Sequence, residues 1–436
     1  MDRPTAGEDI AFVQSLTAKA VSAGADEAQA MLHYDEGVEV DFDSRRLSML
    51  RSTRGDNIRL TVFKQTRKGV AAITSRAADA VDTAVAEALR MAGAAPPDAA
   101  NGIALSEPSP AGLHGDEAAD TAQLIDAARL HIDEMARDHP AIVTRNAYHR
   151  FHRTRKSFGN SAGLTRQETC GRYSFSTLFA ARRNGYATSM NYHGLSSFAP
   201  FGQLSKAGAL AQLYEYMEAS FDPRPAPGKF LGDVIISPDA LRGLLIGPLV
   251  RALSGYSLMA GTSPYRHRRG ELIASPCFSL LNRPAPGDFA EGTGFDAFGI
   301  PASNLDVIRN GVLNEFLVDL YISRKLGIER TEATSIITVP PGEKPAAQIM
   351  QETQRGILLT RFSGGSVGHN LDFSGIAKNA FYIENGKLKY PLAETMISGN
   401  LREIIQAIRD VSRETINFGS GEYPTIAAGG VTIHGR

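Results

Sequence analysis

The sequence contains no tryptophan, only two cysteines and no long apolar run, and each absence excludes a class of protein. Cys170 and Cys277 lie far apart and form no CxxC pair, which argues against a disulfide scaffold and favours a reducing compartment. No apolar stretch approaches the ~20 residues that cross a bilayer. Residues 1–20 lack the apolar core of a signal peptide. These absences predict a soluble, cytoplasmic protein.

A surplus of charge of either sign is also missing. Lys and Arg total 46 against 47 Asp and Glu, a formal net charge of −1. This balance provides no general attraction to nucleic acid or to an anionic membrane, so neither is expected as a partner. With 43% hydrophobic residues in 436, the chain has an ordinary globular composition and a length that predicts two domains.

Several catalytic signatures are absent as well. The sequence has no HExxH or HExxxH, no Walker A motif, and no GxGxxG that opens a helix. A zinc peptidase needs two histidines on one helix face and a glutamate that activates water. The chain supplies that combination nowhere, so we expect no metal ligands, catalytic residues or cofactor-binding residues in it.

The patterns that are present predict an α+β protein. Apolar residues at helical spacing predict helices over residues 121–138 and 400–411. Alternating residues predict neighbouring strands over 142–156 and 172–182. Residues 222–228, DPRPAPG, read as a linker because each proline forces its predecessor toward an extended conformation. We therefore predict an N-terminal α/β domain (1–222) and a C-terminal, mostly antiparallel β domain (229–436).

Residues 364–368, GGSVG, match the GxSxG nucleophile elbow, which would make Ser366 a candidate nucleophile. A strand is predicted before the motif, but no helix follows it, and among the histidines only His434 lies well downstream. A short motif without its structural context is weak evidence. The favoured interpretation is a glycine-rich turn that lets two backbone segments approach closely.

Two groups of histidines resemble metal ligands, and both have simpler interpretations. On a strand, His149 and His152 point to opposite faces and cannot chelate one ion. The basic residues around them then read as a solvated strand face; these are Arg150, Arg153, Arg155 and Lys156. Four more residues lie on or just after one helix, and we interpret them as its charged outer face; these are His131, Glu134, Asp138 and His139.

A series of short motifs runs along nearly the whole chain. They are FDAFGIP (295–301), IRNGVL (308–313), YISRKLG (321–327), GGSVG (364–368), DFSG (372–375), YIENGK (382–387), YP (390–391) and ISGNL (397–401), with VFKQTRKG (62–69) and FGNSAG (158–163) in the first half. In content and order these motifs resemble those of the TldD/PmbA family, and the resemblance is strongest over residues 381–401.

The resemblance implies a fold, a partner and the place of a metal site. It implies an N-terminal α/β domain, a C-terminal domain built on a large curved antiparallel sheet, and dimers. TldD-type members carry HExxxH and a later cysteine and bind zinc, whereas TldE-type members lack these ligands. In this chain the motif positions hold Ile246, Gly247 and Arg251, and the turn at 364–368 has no cysteine. The chain thus resembles the TldE type, with zinc expected in a TldD-like partner.

Three functions remain open from the sequence. The first is a non-catalytic subunit of a TldD/TldE-type zinc metallopeptidase that threads and selects peptides. The second is a homodimeric hydrolase that acts on peptides or amides through Ser366 or an unrecognised site. The third is an interaction protein that modulates DNA gyrase. For the first, we predict a peptide cleft formed by six residues: His369, Asn370, Asp372, Ser374, Glu384 and Asn385.

Overall fold

The N-terminal part of the protein is one sheet with helices on one face. The computed structural model describes residues 4–43, 45–105, 112–201, 203, 208–285, 287–331 and 336–435. The helices of this part are α1 (Ala6–Ser22), α2 (Ala78–Ala94), α3 (Thr121–Asp138) and α4 (Leu210–Ala219). Its strands are β1 (Glu27–Asp43), β2 (Arg46–Lys64), β3 (Arg67–Ile73), β4 (Gly112–His114), β5 (Ile142–Asn160), β6 (Thr165–Arg183), β7 (Tyr186–Ala187) and β8 (Asn191–Ser197).

This sheet has two different faces because its long strands alternate. The strand order is β3-β2-β1-β5-β6-β4, with β7 and β8 also paired to β6. On β1, Ala28, Ala30 and Leu32 are buried under α1 and α2. The alternate residues Gln29 and His33 lie on the opposite face, as period-two geometry requires. The helix-free face of the sheet is therefore polar, and it meets the C-terminal part.

The C-terminal part is a sheet with short helices packed against both of its faces. Its strands are β9 (Lys229–Ile236), β10 (Leu280–Asn282), β11 (Leu305–Arg309), β12 (Val312–Leu313), β13 (Ile337–Thr338), β14 (Arg355–Leu359), β15 (Arg361–Val367), β16 (Asp372–Lys378), β17 (Phe381–Glu384), β18 (Lys387–Pro391), β19 (Thr395–Asn400), β20 (Ile408–Asn417) and β21 (Gly421–His434). Its helices are α5 (Pro238–Leu241), α6 (Gly247–Ala252), α7 (Gly255–Met259), α8 (Leu320–Leu326), α9 (Ala346–Gln351) and α10 (Leu401–Gln406).

Strand β21 explains how this sheet curves. It pairs with β9, β13, β19 and β20, and its register against β9 shifts between Ala428 and Val431. Gly430 lies at the shift with a φ of 84°, which glycine adopts without strain. Such a bulge bends the strand, so that its two halves can pair with different neighbouring strands. The predicted fold class, an α+β protein with a large curved and mostly antiparallel C-terminal sheet, is confirmed.

Individual elements were predicted with mixed success. Helix α3 has the predicted bounds, and β5 and β6 are antiparallel neighbours as expected. The predicted helix over 400–411 is wrong beyond Gln406, where α10 ends and β20 begins at Ile408. The proline-rich residues 222–228 connect α4 to β9. No helix among the described residues is both long enough and apolar enough to cross a membrane.

The prediction of a solvated basic face on β5 is wrong. The Arg155 side chain is 4% exposed and pairs with Asp9 of α1. Lys156, on the other face, donates hydrogen bonds to Glu168 and to Thr293 of the C-terminal part, at 3.2 and 2.7 Å. Both faces of the strand are covered at Arg155 and Lys156, so these two cations are buried and paired, whereas Arg150 is paired with Glu39 but remains 35% exposed at the edge of a cleft. A buried charge is tolerated when it has such a partner.

The interpretation of His131 as part of a charged outer helix face is also wrong. The residue is 1% exposed and faces the sheet, where its Nε2 lies 3.0 Å from the Tyr214 hydroxyl. Its ring centroid is 5.9 Å from that of His149, and both rings contact Phe175. Burial lowers the pKa of His149 to about 4. The two rings therefore belong to an aromatic core, and His149 does point away from the face that carries His152.

Candidate functional site

A broken helix between β9 and α7 is the central element of the candidate site. Ser237 caps it by accepting a hydrogen bond from the Ala240 N–H, and Pro238 occupies the first turn. Pro248 further along has no N–H to donate. Just before it, the Gly247 N–H donates to the Arg242 carbonyl, which closes a π turn over Arg242–Ile246. Single π turns of this kind are frequent at functional sites.

One face of this broken helix lines a cleft of about 840 Å³ against the polar face of the N-terminal sheet. We call it the helix cleft. Helical spacing places six residues on that face: Asp239, Arg242, Gly243, Ile246, Gly247 and Val250. The facing strands β5, β6 and β8 contribute mainly polar side chains, among them Tyr148, Arg150, His152, Arg172, Ser174 and His193. The opposite side of the helix is packed in the C-terminal core through Leu244, Leu245 and Leu249.

Most charged groups of the helix cleft have hydrogen-bond or ion-pair partners within the protein, whereas Arg172 has no ion pair among the described residues. His193 Nδ1 lies 2.7 Å from Asp239 Oδ1, and the side chains are 0% and 8% exposed. Arg242 donates to the Ser420 hydroxyl at 3.1 Å and lies over the Phe418 ring. The His193–Asp239 contact joins β8 to α5, and therefore the N-terminal sheet to the C-terminal part.

Further ion pairs continue along the sheet side of the cleft. Arg150 pairs with Glu39. His152 lies 3.1 Å from Asp35. Burial acts against the charged form of Asp35, but hydrogen bonds from His152 and Thr154 outweigh it and lower the pKa of this carboxyl group. At the base of the cleft, burial raises the pKa of Tyr423 to about 12. The cleft wall is thus polar and crossed by ion pairs, but His193 Nε2 and Asp239 Oδ2 are buried atoms with no hydrogen-bond partner in the described structure.

The positions that the resemblance assigns to zinc ligands come together beside this cleft. Ile246 is 4% exposed and lies in the core cluster against which Val367 of β15 packs. Gly247 follows it with no side chain to offer. The Arg251 guanidinium donates to the Val367 carbonyl at 3.2 Å. A cationic side chain therefore contacts the β15 segment in which the third ligand would lie.

These residues do not fit a zinc ion. Zinc in proteins is bound by Cys, His, Asp or Glu side chains, and none of the three motif positions carries one. The guanidinium of Arg251 stays protonated and cannot act as a ligand. Among the described residues, no group of three or more His, Cys, Asp or Glu side chains lies close enough together to hold a metal.

Four of the six predicted peptide-cleft residues form one group, away from the helix cleft. Asp372 and Ser374 lie on the outer face of β16, whereas Phe373 between them is buried in the core. Asn370 bonds to Asp372, and the Asn400 side chain donates to both Asn370 and Asp372. His369 is exposed in the preceding turn. Because they face away from the broken helix, peptide contact by these residues stays a prediction.

Glu384 and Asn385 lie elsewhere in the sheet. Glu384 is the last residue of β17 and Asn385 follows it. In the pairing order, strands β14, β9, β21 and β19 separate β17 from β16. Asn385 and Gly386 have φ values of 50° and 71° and connect β17 to β18 as a hairpin turn. The simpler interpretation of this pair is confirmed. The structure does not bring the six residues into one cleft.

Ser366 is not on a nucleophile elbow. It lies within β15 and pairs with Ser374 of β16, beyond a bulge that begins at Ser363. The expected turn is therefore wrong, but the expected close approach is confirmed, since a Cβ on Gly365 would lie 2.0 Å from the Ser374 carbonyl oxygen. An elbow requires a strand-to-helix turn. His434, the downstream histidine, lies 2.9 Å from Ser398 instead.

Of the residues that line the helix cleft, the sequence pointed to Ile246 and Gly247 through the resemblance, but it did not predict Asp239, Arg242, Gly243 or His193 as site residues. Asp239, Arg242 and Gly243 have the spacing of one helix face, and this signal was available in the sequence. Glu291 also lines the cleft and accepts a hydrogen bond from the Ser196 hydroxyl at 2.7 Å. No local sequence pattern marks His193 or Glu291 as cleft residues, because their contacts join distant segments of the chain.

Comparison with known proteins gives the affiliation of the C-terminal part. A family model described as the PmbA/TldA metallopeptidase C-terminal domain matches residues 227–435. A curated protein from Escherichia coli O157:H7, "Metalloprotease PmbA", is 25% identical over 94% of this chain and 93% of its own length. A "Zinc metalloprotease TldD homolog" from Saccharolobus solfataricus is also 25% identical, but over 44% of this chain and 45% of its own length.

A solved structure supports the fold of the whole chain. The crystal structure of TldE from Thermococcus kodakarensis superposes with a TM-score of 0.85, covering 97% of this chain and 100% of that one. The sequence identity is 21%, so this likeness concerns the fold alone.

Proposed function

The C-terminal part of the chain is a domain of the PmbA/TldD family, and from this premise we propose that the protein is a non-catalytic, TldE-like subunit. It pairs with a TldD-like zinc metallopeptidase and helps to thread and select peptides for proteolytic processing. Zinc belongs to the partner. The observation that carries the proposal is the arrangement at the zinc-motif positions, where Arg251 donates to the Val367 carbonyl beside the apolar Ile246.

In this role, the residues of the helix cleft orient and hold a peptide rather than cleave it. Extended peptides are held most simply as an added strand or by polar groups that bond their backbone. Ser174, Ser176 and Arg172 of the cleft wall offer such groups. Arg251 supplies the positive charge that a metal would otherwise place near β15, but it activates no water. Hydrolysis then depends on the partner's metal.

The test is a measurement of zinc and of peptide hydrolysis on this chain alone and after co-expression with a TldD-like chain. We expect no stoichiometric zinc and no hydrolysis from the chain alone. The pair should contain about one zinc per heterodimer and hydrolyse peptides until a chelator removes the metal. Size measurements on both samples would report a homodimer or a heterodimer.

Two variants sharpen this test. Ser366→Ala should leave hydrolysis by the pair unchanged, since Ser366 has no catalytic role in this proposal. Loss of activity in that variant would support the hydrolase hypothesis and contradict ours. Arg251→Gln should leave the zinc content of the pair unchanged. Stoichiometric zinc in the lone chain, or a topoisomerase in place of a peptidase as the co-purifying partner, would also overturn the proposal.

A further inference from the structure

A second cavity lies on the same polar sheet face as the helix cleft. We call it the sheet chamber; its volume is about 840 Å³. Its floor is formed by β1, β2 and β3 and includes Gln29, His33, Arg59 and Lys68. Its roof comes from the C-terminal part, with Tyr256 of α7, Tyr321 of α8 and the segment 293–298.

The chamber is separated from the helix cleft by a covering segment. Gly294 donates its N–H to Glu168, and Lys156 donates to the Thr293 hydroxyl. The Cys170 thiol contacts the Ala290 carbonyl at 3.5 Å on the same strand as Glu168. These contacts hold residues 290–294 against the sheet, between the two cavities. A ligand in the sheet chamber is therefore separated from a peptide bound in the helix cleft.

Among the described residues, three lysine and arginine side chains line the chamber, and Lys156 is the one that pairs with a carboxylate, Glu168. No ion pair or hydrogen bond joins Arg59 or Lys68 to another group in the described part of the chain. Asp319 accepts the Ile322 N–H as the cap of α8, and Asp296 accepts the N–H groups of Phe298 and Ile300. Partial burial and the neighbouring Arg59 lower the pKa of Lys68, and the attraction of Asp319 opposes this shift without cancelling it. An anion between these two cations would relieve that repulsion.

The floor also has unused hydrogen-bonding groups. Gln29 Oε1 and His33 Nε2 are buried atoms with no hydrogen-bond partner in the described structure. Buried polar atoms in folded proteins are nearly always bonded, so such a pair of exceptions calls for an explanation. The amide oxygen of Gln29 requires a donor, such as an N–H group. Aromatic rings complete the lining, with Phe63 on the floor and Phe298 in the roof.

We propose that the sheet chamber binds a short peptide through its free C-terminal carboxylate, with Arg59 and Lys68 as the carboxylate-binding residues. The assignment rests on the proposed function for the choice of a peptide. A peptide supplies the three groups that the chamber lacks: an anion for the two cations, an N–H for the Gln29 oxygen, and an apolar side chain for the aromatic rings. The volume suits a ligand of a few residues.

Titration calorimetry on the lone chain at low salt tests the assignment, with N-acetyl-alanyl-phenylalanine as the probe. Its carboxamide is the matched ligand without the charge. We expect the acid to bind and the carboxamide to bind at least 10-fold more weakly. Arg59→Gln and Lys68→Gln should each weaken the acid at least 5-fold. Arg129→Gln, which removes an exposed cation on α3, should change nothing.

Several results would overturn the assignment. These are equal affinity for acid and carboxamide, no binding of the acid at millimolar concentration, or an equal effect of Arg129→Gln. Displacement of the probe by the same concentration of acetate would mean that the chamber recognises any small carboxylate and not a peptide. The measurement needs neither zinc nor a partner. Failure of hydrolysis by the pair would therefore not contradict carboxylate binding in the chamber, and failure of binding would not contradict the proposed subunit role.

Discussion

The helix cleft and the sheet chamber have equal volumes and share one sheet, but their charged groups differ in what they contact. In the cleft, Asp239 and Arg242 have partners at 2.7 and 3.1 Å. In the chamber, Arg59 and Lys68 have no such partner among the described residues. Charges that are paired internally hold the two parts of the chain together. Charges that are left unpaired remain available to a ligand.

Because of this difference, mutations in the two cavities should lower the free energy of unfolding by different amounts. Removing one member of a buried pair leaves the other uncompensated, whereas removing an exposed unpaired cation leaves nothing behind. The stability of variants therefore tests the comparison directly, and the largest effect is expected where burial is deepest.

The first prediction concerns Asp239. Asp239→Ala removes the partner of His193 Nδ1, whose Nε2 is already buried without a partner. We expect a loss of about 3 kcal/mol in the free energy of unfolding, because a buried polar ring then has no hydrogen bond. Urea unfolding followed by circular dichroism measures it. Asp239→Asn, which keeps the shape and an acceptor oxygen, should cost clearly less. Equal losses for both variants would show that the charge of the pair matters more than its geometry.

The second prediction compares the two faces of β5. On the cleft face His152 has the partner Asp35, but on the core face His149 has an unpartnered Nε2 and a pKa of about 4. The unfolded chain binds a proton near pH 6.5, whereas the folded chain binds it only near pH 4. Stability contributed by the neutral ring is thus lost as the pH falls from about 6.5 toward 4. Between pH 7.5 and pH 5, His149 should account for about 2 kcal/mol.

His149→Phe should remove this part of the pH dependence while keeping an aromatic ring beside Phe175. The measurement is the urea midpoint at pH 7.5 and at pH 5 for each variant. His267→Phe, at an exposed position, is the control and should leave the pH dependence unchanged. An unchanged pH dependence in His149→Phe would contradict the assignment of this loss to His149.

The sequence predicted the fold better than it predicted burial. Alternation along β5 and β6 identified both strands, because period two is a local signal. It could not show that β5 also pairs with β1 over most of its length, since pairing partners are not encoded locally. Nor could it show that Arg155 meets Asp9 of α1. A polar residue covered from both sides by other elements has the same local pattern as a solvated one.

The candidate site was predicted in part for a related reason. The resemblance identified Ile246, Gly247 and Arg251, and the contact of Arg251 with Val367 joins two of the predicted segments. The cleft residues Asp239 and His193 come from different parts of the chain, and only the folded molecule places them together. The six residues predicted as a peptide cleft were chosen for chemistry and sequence proximity. Strand order then separated Ser374 from Glu384.

The third prediction compares one arginine from each cavity. Arg242→Gln in the helix cleft should cost about 1 kcal/mol, because it removes a hydrogen bond to Ser420 and the stacking on Phe418. Arg59→Gln in the sheet chamber should change stability by no more than about 0.5 kcal/mol. The same substitution at two sites, followed by urea unfolding in low and high salt, makes the comparison direct.

Salt refines this third prediction because it acts only on charges that solvent reaches. If repulsion from Lys68 destabilises the fold, Arg59→Gln should slightly raise the free energy of unfolding. This gain should shrink at high salt, because salt screens the two exposed cations. The loss of stability in Arg242→Gln should persist at high salt, since the contacts of Arg242 are short and partly buried. A large loss in Arg59→Gln would mean that this arginine already has a structural role. Arg59 would then stabilise the fold as Arg242 does, and the contrast between the cations of the two cavities would disappear.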